Sequence, residues 1–115
     1  MGRIETYRAY VQELLERHAQ RYPVCAGVEV QTLYDTERDH YQLLLVGWEE
    51  LHRVYECVLH VDIRADKLWI QEDQTEAGLA SELVEMGVPK DAIVLAFHAP
   101  YKRPYTGFEI GRAHV

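Results

Sequence analysis

The sequence predicts an α+β fold: an N-terminal amphipathic helix packed on an antiparallel meander sheet of four to five strands, then a second short helix and an extended C-terminal tail. Three observations carry this. Apolar residues recur at helical spacing near the N-terminus and again over 76–86. Segments between residues 28 and 71 alternate with a period of two or run apolar, as strands do. Short polar turns join those segments, so neighbours pair antiparallel.

Ile4, Tyr7, Val11, Leu14, Leu15 and His18 form one stripe with Arg8, Glu13, Glu16 and Arg17 between them, which makes residues 3 to about 21 an amphipathic helix that Pro23 ends. Each large apolar side chain contributes about 1.5–3 kcal/mol when fully buried, so the stripe docks only against a second apolar surface, the sheet. Val28, Val30, Thr32 and Tyr34 alternate with Glu29, Gln31 and Asp35, the pattern of a strand with one wet face. The segment from Tyr41 to Trp48 is almost continuously apolar, as in a central strand or one covered on both sides. Asp35 to Asp39 is a polar hairpin loop between the two.

From Val54 to Arg64, strict alternation places Tyr55, Cys57, Leu59, Val61 and Ile63 on one face, and Glu56, His60, Asp62 and Arg64 with Val58 on the other. Ala65-Asp66 turns the chain into Lys67 to Gln71; Asp at the second position accepts left-handed geometry, though less well than Gly. Thr75 is placed to cap a helix over 76–86 that Gly87 and Pro89 stop. On that helix Leu79, Leu83 and Met86 face the sheet, and Glu76, Glu82 and Glu85 point largely outward. Ile93 to Phe97 is too short for a helix and rich in branched residues, hence a strand.

At 115 residues the chain, 1–115, is expected to form a single domain, with no internal repeat or linker-like stretch. No segment approaches the roughly 18–20 apolar residues of a membrane span and the N-terminus lacks the apolar core of a signal peptide, so a cytoplasmic protein without membrane contact is expected. Cys25 and Cys57 are too few for a zinc framework. The formal charge of −7 opposes a general affinity for phosphate backbones. Residues 1–91 carry nine Lys and Arg against eighteen Asp and Glu, a charge of −9, whereas the remainder carries +2. Gln71 to Pro89 holds Glu72, Asp73, Glu76, Glu82 and Glu85 with no cation, the composition of a solvated helix face or of a surface meeting a basic partner.

Candidate chemistry is sparse. His60 and Asp62 lie two apart on the polar side of a strand, where a carboxylate can orient an imidazole, but no third ligand or nucleophile stands at a motif distance. The simpler expectation is a solvated or cross-strand-paired His and Asp. His40 and His52 border hairpin loops, and ligand convergence from several strands is not legible. Asp62, Asp66, Lys67 and Glu72 lack the spacing of a metal-dependent nuclease, and Gly78 and Gly87 do not form a phosphate loop. No catalytic residue, metal or cofactor is therefore assigned. In the tail, Pro100 and Pro104 keep the chain extended while Tyr101, Tyr105 and Phe108 interleave with Lys102 and Arg103. That composition suits a protein interface, single-stranded nucleic acid, or rings folded back on the core.

Three long segments stand together: TERDHYQLLLVGWE from Thr36, CVLHVDIRADKLWIQ from Cys57 and TEAGLASELVEMGVPKDAIVLAFHAPYKRPYTGF from Thr75. In this order they resemble the XisI family, excision controlling factors of the fdxN element in cyanobacteria, over nearly the whole chain. Ala65-Asp66 stands where the family pattern has Asp-Gly, and Gly111 to Val115 lie beyond the resemblance. The resemblance implies an accessory role in DNA excision during heterocyst differentiation, beside a separate recombinase and the endonuclease-like companion XisH. It does not supply a chemical mechanism. The reading that follows is a non-catalytic factor that binds an XisH-like protein, with Tyr101, Lys102, Arg103, Tyr105, Phe108, Glu76, Glu82 and Glu85 as partner-binding candidates. Contact with DNA is then indirect or weak, and a homo-oligomer is expected because sheet edges and tail rings need covering. The alternatives are a DNA-binding directionality factor that uses Lys102 and Arg103, and a small ligand-binding or enzymatic domain around His60 and Asp62.

Overall fold

A computed structural model describes residues 3–22 and 27–98. The chain runs through α1 (Arg3–Ala19), β1 (Val28–Asp35), β2 (His40–Glu49), β3 (His52–Arg64), β4 (Lys67–Asp73), α2 (Leu79–Glu85), a 3-10 turn (Lys90–Ala92) and β5 (Ile93–Leu95). The five strands form one sheet in sequence order. The first four make the predicted antiparallel meander. The fifth departs from it: β5 runs parallel to β4, pairing Leu68 with Ile93 and Ile70 with Leu95, so the sheet is mixed. The reason is the connection, since a helix between two strands carries the chain back to its starting end, whereas a hairpin reverses it.

Tyr7, Val11, Leu14, Leu15 and His18 are the buried stripe of α1, as the periodicity requires. The four apolar ones join Tyr41, Leu43, Leu59, Val61, Ile63, Leu68, Ile70, Ile93 and Leu95 from the sheet, and Leu79 and Leu83 from α2, in one core. Both helices therefore cover the same face. Arg8 fixes α1 against the β1–β2 hairpin by donating from Nε and Nη2 to the two carboxylate oxygens of Asp39, at 2.7 and 3.1 Å. The Tyr34 hydroxyl donates to Glu16 at 2.6 Å and ties the far side of α1 to β1.

Two β-bulges decide which side chains share a face. Beside β2, the register jumps from Leu43–Leu59 to Leu44–Cys57, leaving Val58 as the extra residue. Beside β4, it jumps from Val61–Ile70 to His60–Glu72, leaving Gln71. Leu43 and Leu44 are successive residues on opposite faces, so their partners Leu59 and Cys57 are on opposite faces too. The strict alternation expected for β3 fails there: Tyr55 and Cys57 lie on the reverse of the sheet, away from Leu59, Val61 and Ile63.

The start of α2 also differs from expectation. The helix begins at Leu79, and Thr75 is not its cap. Asp73 takes that part: its carboxylate accepts from the backbone N–H of Leu79 at 2.6 Å and of Thr75 at 2.9 Å. Thr75 Oγ1 donates to the same carboxylate at 2.5 Å and accepts from the Gly78 N–H at 3.2 Å. The Ala65-Asp66 turn is tight as predicted, with φ of 54° and 60°. Pro23 and Cys25 lie outside the described residues.

Candidate functional site

The reverse face of the sheet, free of both helices, carries the polar residues that β3 was expected to expose. Register pairs His40 with Asp62 and Gln42 with His60. Val58 makes this possible. From Leu44 to Glu49 each pair sums to one register, and continuing it without the extra residue would set His40 opposite Val61, on the wrong face for any contact with Asp62. With the bulge, His40 Nδ1 lies 2.7 Å from Asp62 Oδ1 and His60 Nε2 lies 2.8 Å from the same oxygen. The other carboxylate oxygen accepts from Gln71 Nε2 at 3.2 Å, and Gln42 Nε2 lies 3.4 Å from His60 Nδ1.

Burial by itself pushes the Asp62 carboxyl upward, but hydrogen bonds from His60 and His40, with the charge those imidazoles carry when protonated, win and hold it below the usual carboxylate value. The Asp62 side chain is only 13% exposed, whereas His40 is half exposed and opens the group to solvent. Expectation had a solvated or cross-strand-paired His and Asp. The cross-strand pair is present, and it includes the third group, His40, that sequence spacing did not supply. Cys57, on the same face, donates its S–H to the Leu59 carbonyl at 3.3 Å, and burial raises its thiol, so it is not an activated nucleophile.

The other end of this face is apolar and exposed. Val46 pairs with Tyr55 and Trp48 with Arg53. Trp48 is 53% exposed and Tyr55 69%; the exposed Leu33 of β1 pairs with Gln42 and so lies at the His40–Asp62 end instead. The Arg53 guanidinium carbon sits 5.8 Å from the Trp48 ring centroid and 6.0 Å from that of Tyr55, spanning the two rings, and Arg53 also donates to the Gly47 carbonyl at 3.2 Å. Sequence reasoning did not find this surface. Trp48 closes an apolar run that reads as buried, and Tyr55 was assigned to the core face.

The partner-binding candidates divide. Glu76 and Glu85 are exposed, the first ahead of the helix actually formed and the second its last residue. Glu82 is not outward: its side chain is 13% exposed and Oε1 lies 2.6 Å from His18 Nε2. Glu82 lies one turn after Leu79 and beside Leu83, both buried residues of α2, so its side chain reaches α1 at the rim of that face. Tyr101, Lys102, Arg103, Tyr105 and Phe108 lie outside the described residues. The grooves among the described residues do not involve His60 or Asp62. One, of about 680 Å³, is lined by Arg3, Tyr10, Asp66, Lys67 and Asp91 among others; a smaller one lies between Tyr22, Val30, Leu45 and Glu56. No helix among the described residues is long and apolar enough to cross a membrane.

The family model described as XisI protein matches residues 1–110. No curated protein matches the chain. Among solved structures, a XisI-like protein from Anabaena variabilis ATCC 29413 is 47% identical, with a TM-score of 0.87, over 90% of this chain and 95% of that one. The fdxN element excision controlling factor XisI from the same organism is 32% identical, with a TM-score of 0.86, over 96% of this chain and 100% of that one.

Proposed function

The chain belongs to the XisI family, and on that premise we propose that it is a controlling factor for excision of a DNA element, acting by binding another protein and breaking no bond itself. The observation that carries the mode of action is the exposed Trp48, Arg53 and Tyr55 surface on a sheet face that neither α1 nor α2 covers. Tyr, Trp and Arg dominate the energetics of protein interfaces because they bury large area while keeping one polar end satisfied. The controlling-factor role itself comes from the likeness to the fdxN element factor over 96% of this chain and all of that one.

The partner we propose is an XisH-like, endonuclease-related protein. A surface that handles DNA is basic, and the −9 carried by residues 1–91 complements it and steers encounter. The same charge disfavours direct phosphate contact by the body of the protein. The test is co-expression with the XisH-like companion, co-purification at low and high salt, light scattering, and absorbance for nucleic acid. A defined complex free of nucleic acid, lost in Trp48→Ala/Tyr55→Ala with circular dichroism unchanged, supports the reading. Binding of DNA with no protein complex overturns it in favour of direct recognition, and a homodimer that the same double variant disperses assigns the aromatic face to a second copy.

A further inference from the structure

The His40, His60 and Asp62 cluster goes beyond partner binding. We propose that these three side chains form a binding site for one divalent transition-metal ion, with zinc the first candidate. Each of the three residues offers one ligand atom, and these atoms all lie within 4.8 Å of one another; His40 Nδ1 and His60 Nε2 both face Asp62 Oδ1. Two imidazole nitrogens and one carboxylate oxygen are a borderline donor set that suits Zn²⁺, and binds Cu²⁺ and Ni²⁺ as well, but holds Mg²⁺ and Ca²⁺ poorly.

The geometry needs little change to admit an ion. A tetrahedral centre with bonds of about 2.0–2.1 Å separates its ligands by about 3.3 Å. The oxygen-to-nitrogen distances are now 2.7 and 2.8 Å, hydrogen-bond lengths, so each opens by about half an ångström. His40 makes that adjustment because its side chain is 52% exposed at the start of β2. His60 and Asp62 alternate on one bulge-fixed strand, which presets their side of the site. The solvent-facing side beyond His40 leaves a position for water or for a ligand from another molecule.

The atoms behind the ligands are also held. Gln71 donates to Asp62 Oδ2 at 3.2 Å, which turns Oδ1 toward the imidazoles. Gln42 stands 3.4 Å from His60 Nδ1. In the metal-free form both imidazoles donate N–H to Asp62. When Nε2 of His60 binds an ion, its proton moves to Nδ1, and the Gln42 carboxamide, turned about its last bond, accepts it through its oxygen. His40 makes the matching exchange at its solvent-side Nε2. No proton is lost from a neutral ring, and each ligand keeps an outer partner, the arrangement that orients ligands in metal sites.

The experiment is calorimetric titration of the tag-free full chain with zinc chloride, then with cobalt chloride under visible absorption. One ion per chain is expected, with a Co²⁺ d–d band of low-coordinate intensity and a zinc-dependent rise in melting temperature. His40→Ala and Asp62→Asn should each weaken binding at least about tenfold and abolish the band, and Gln42→Ala should weaken it about 10–100-fold. His52→Ala, at the opposite end of the β2–β3 hairpin, should change nothing. His40 is exposed enough that its variant keeps the fold, which circular dichroism checks. Absence of saturable binding, or binding of equal strength in His40→Ala, His60→Ala and wild type, overturns the proposal.

Discussion

Replacing Glu82 by alanine should cost this protein about 2–3 kcal/mol of stability, because it breaks a buried polar contact that locks α2 to α1. His18 is only 4% exposed, and its Nε2 meets Glu82 Oε1 at 2.6 Å. A hydrogen bond to a charged group contributes about 1.5–3 kcal/mol, and removing one partner leaves a buried ring nitrogen with no replacement. Unfolding entropy is about 2.1 cal/mol/K per residue, so for a chain of this length the loss lowers the melting temperature by roughly 8–12 °C. Glu85→Ala, an exposed change on the same helix, should stay within about 0.5 kcal/mol of wild type.

Urea denaturation followed by circular dichroism measures both, and a double-mutant cycle with His18→Leu isolates the pair. His18→Leu/Glu82→Leu should recover most of the loss, since replacing both partners by apolar groups leaves nothing unpaired. If Glu82→Ala is no worse than Glu85→Ala, or the cycle shows coupling below about 0.5 kcal/mol, Glu82 is a surface carboxylate after all and the reasoning fails.

Asp39 should contribute to acid stability: the Arg8 hydrogen bonds hold its carboxyl below the ordinary value of 3.8. A depressed folded-state value stabilises above the unfolded one and is lost as pH falls through the folded one, so Asp39→Asn should flatten the stability–pH curve below about pH 4 in urea titrations at stepped pH. Asp66→Gly should raise stability by about 0.5–1 kcal/mol, measured the same way, because Asp66 sits at φ 60° where Gly pays no Cβ penalty. Gly47→Ala should cost about 1–3 kcal/mol or more, visible as a lowered melting temperature, since a Cβ there would stand 1.8 Å from the Gly27 carbonyl oxygen across the β1–β2 ladder. Trp48→Ala should leave the melting temperature within a few degrees of wild type while removing partner binding in a pull-down, because its ring is mostly in solvent.

Elements were legible where periodicity is strong. The α1 stripe, the four meander strands and the Ala65-Asp66 turn follow from spacing and turn chemistry, and the family resemblance followed from the long segments around them. What escaped was set by single residues. Helix length in α2 depends on Asp73 reaching forward to cap Leu79, and Thr75 was the more conventional choice by position. Glu82 was read as solvated because acidic runs usually are, yet it lies one turn after the buried Leu79, on the side of α2 that reaches His18. β5 was found but not its direction, which follows from the helix before it.

The candidate site was half legible for one reason, the bulge at Val58. His60 and Asp62 are visible in any period-two reading; His40 joins them only if the hairpin register is counted outward from the Glu50–Leu51 turn and then shifted by one residue. That shift is not legible in period-two alternation, which set Val58 on the polar face beside His60 and Asp62, whereas the structure buries it. The same residue turns Tyr55 out of the core face and into the aromatic surface beside Trp48. One inserted residue therefore sets both ends of the helix-free face, the imidazole–carboxylate cluster at one and the exposed rings at the other. The helix-covered face holds the fold together and is indifferent to either. Substitutions on the reverse face should for that reason separate binding from stability, whereas those at Leu14, Leu59 or Leu83, fully buried in the shared core, cannot.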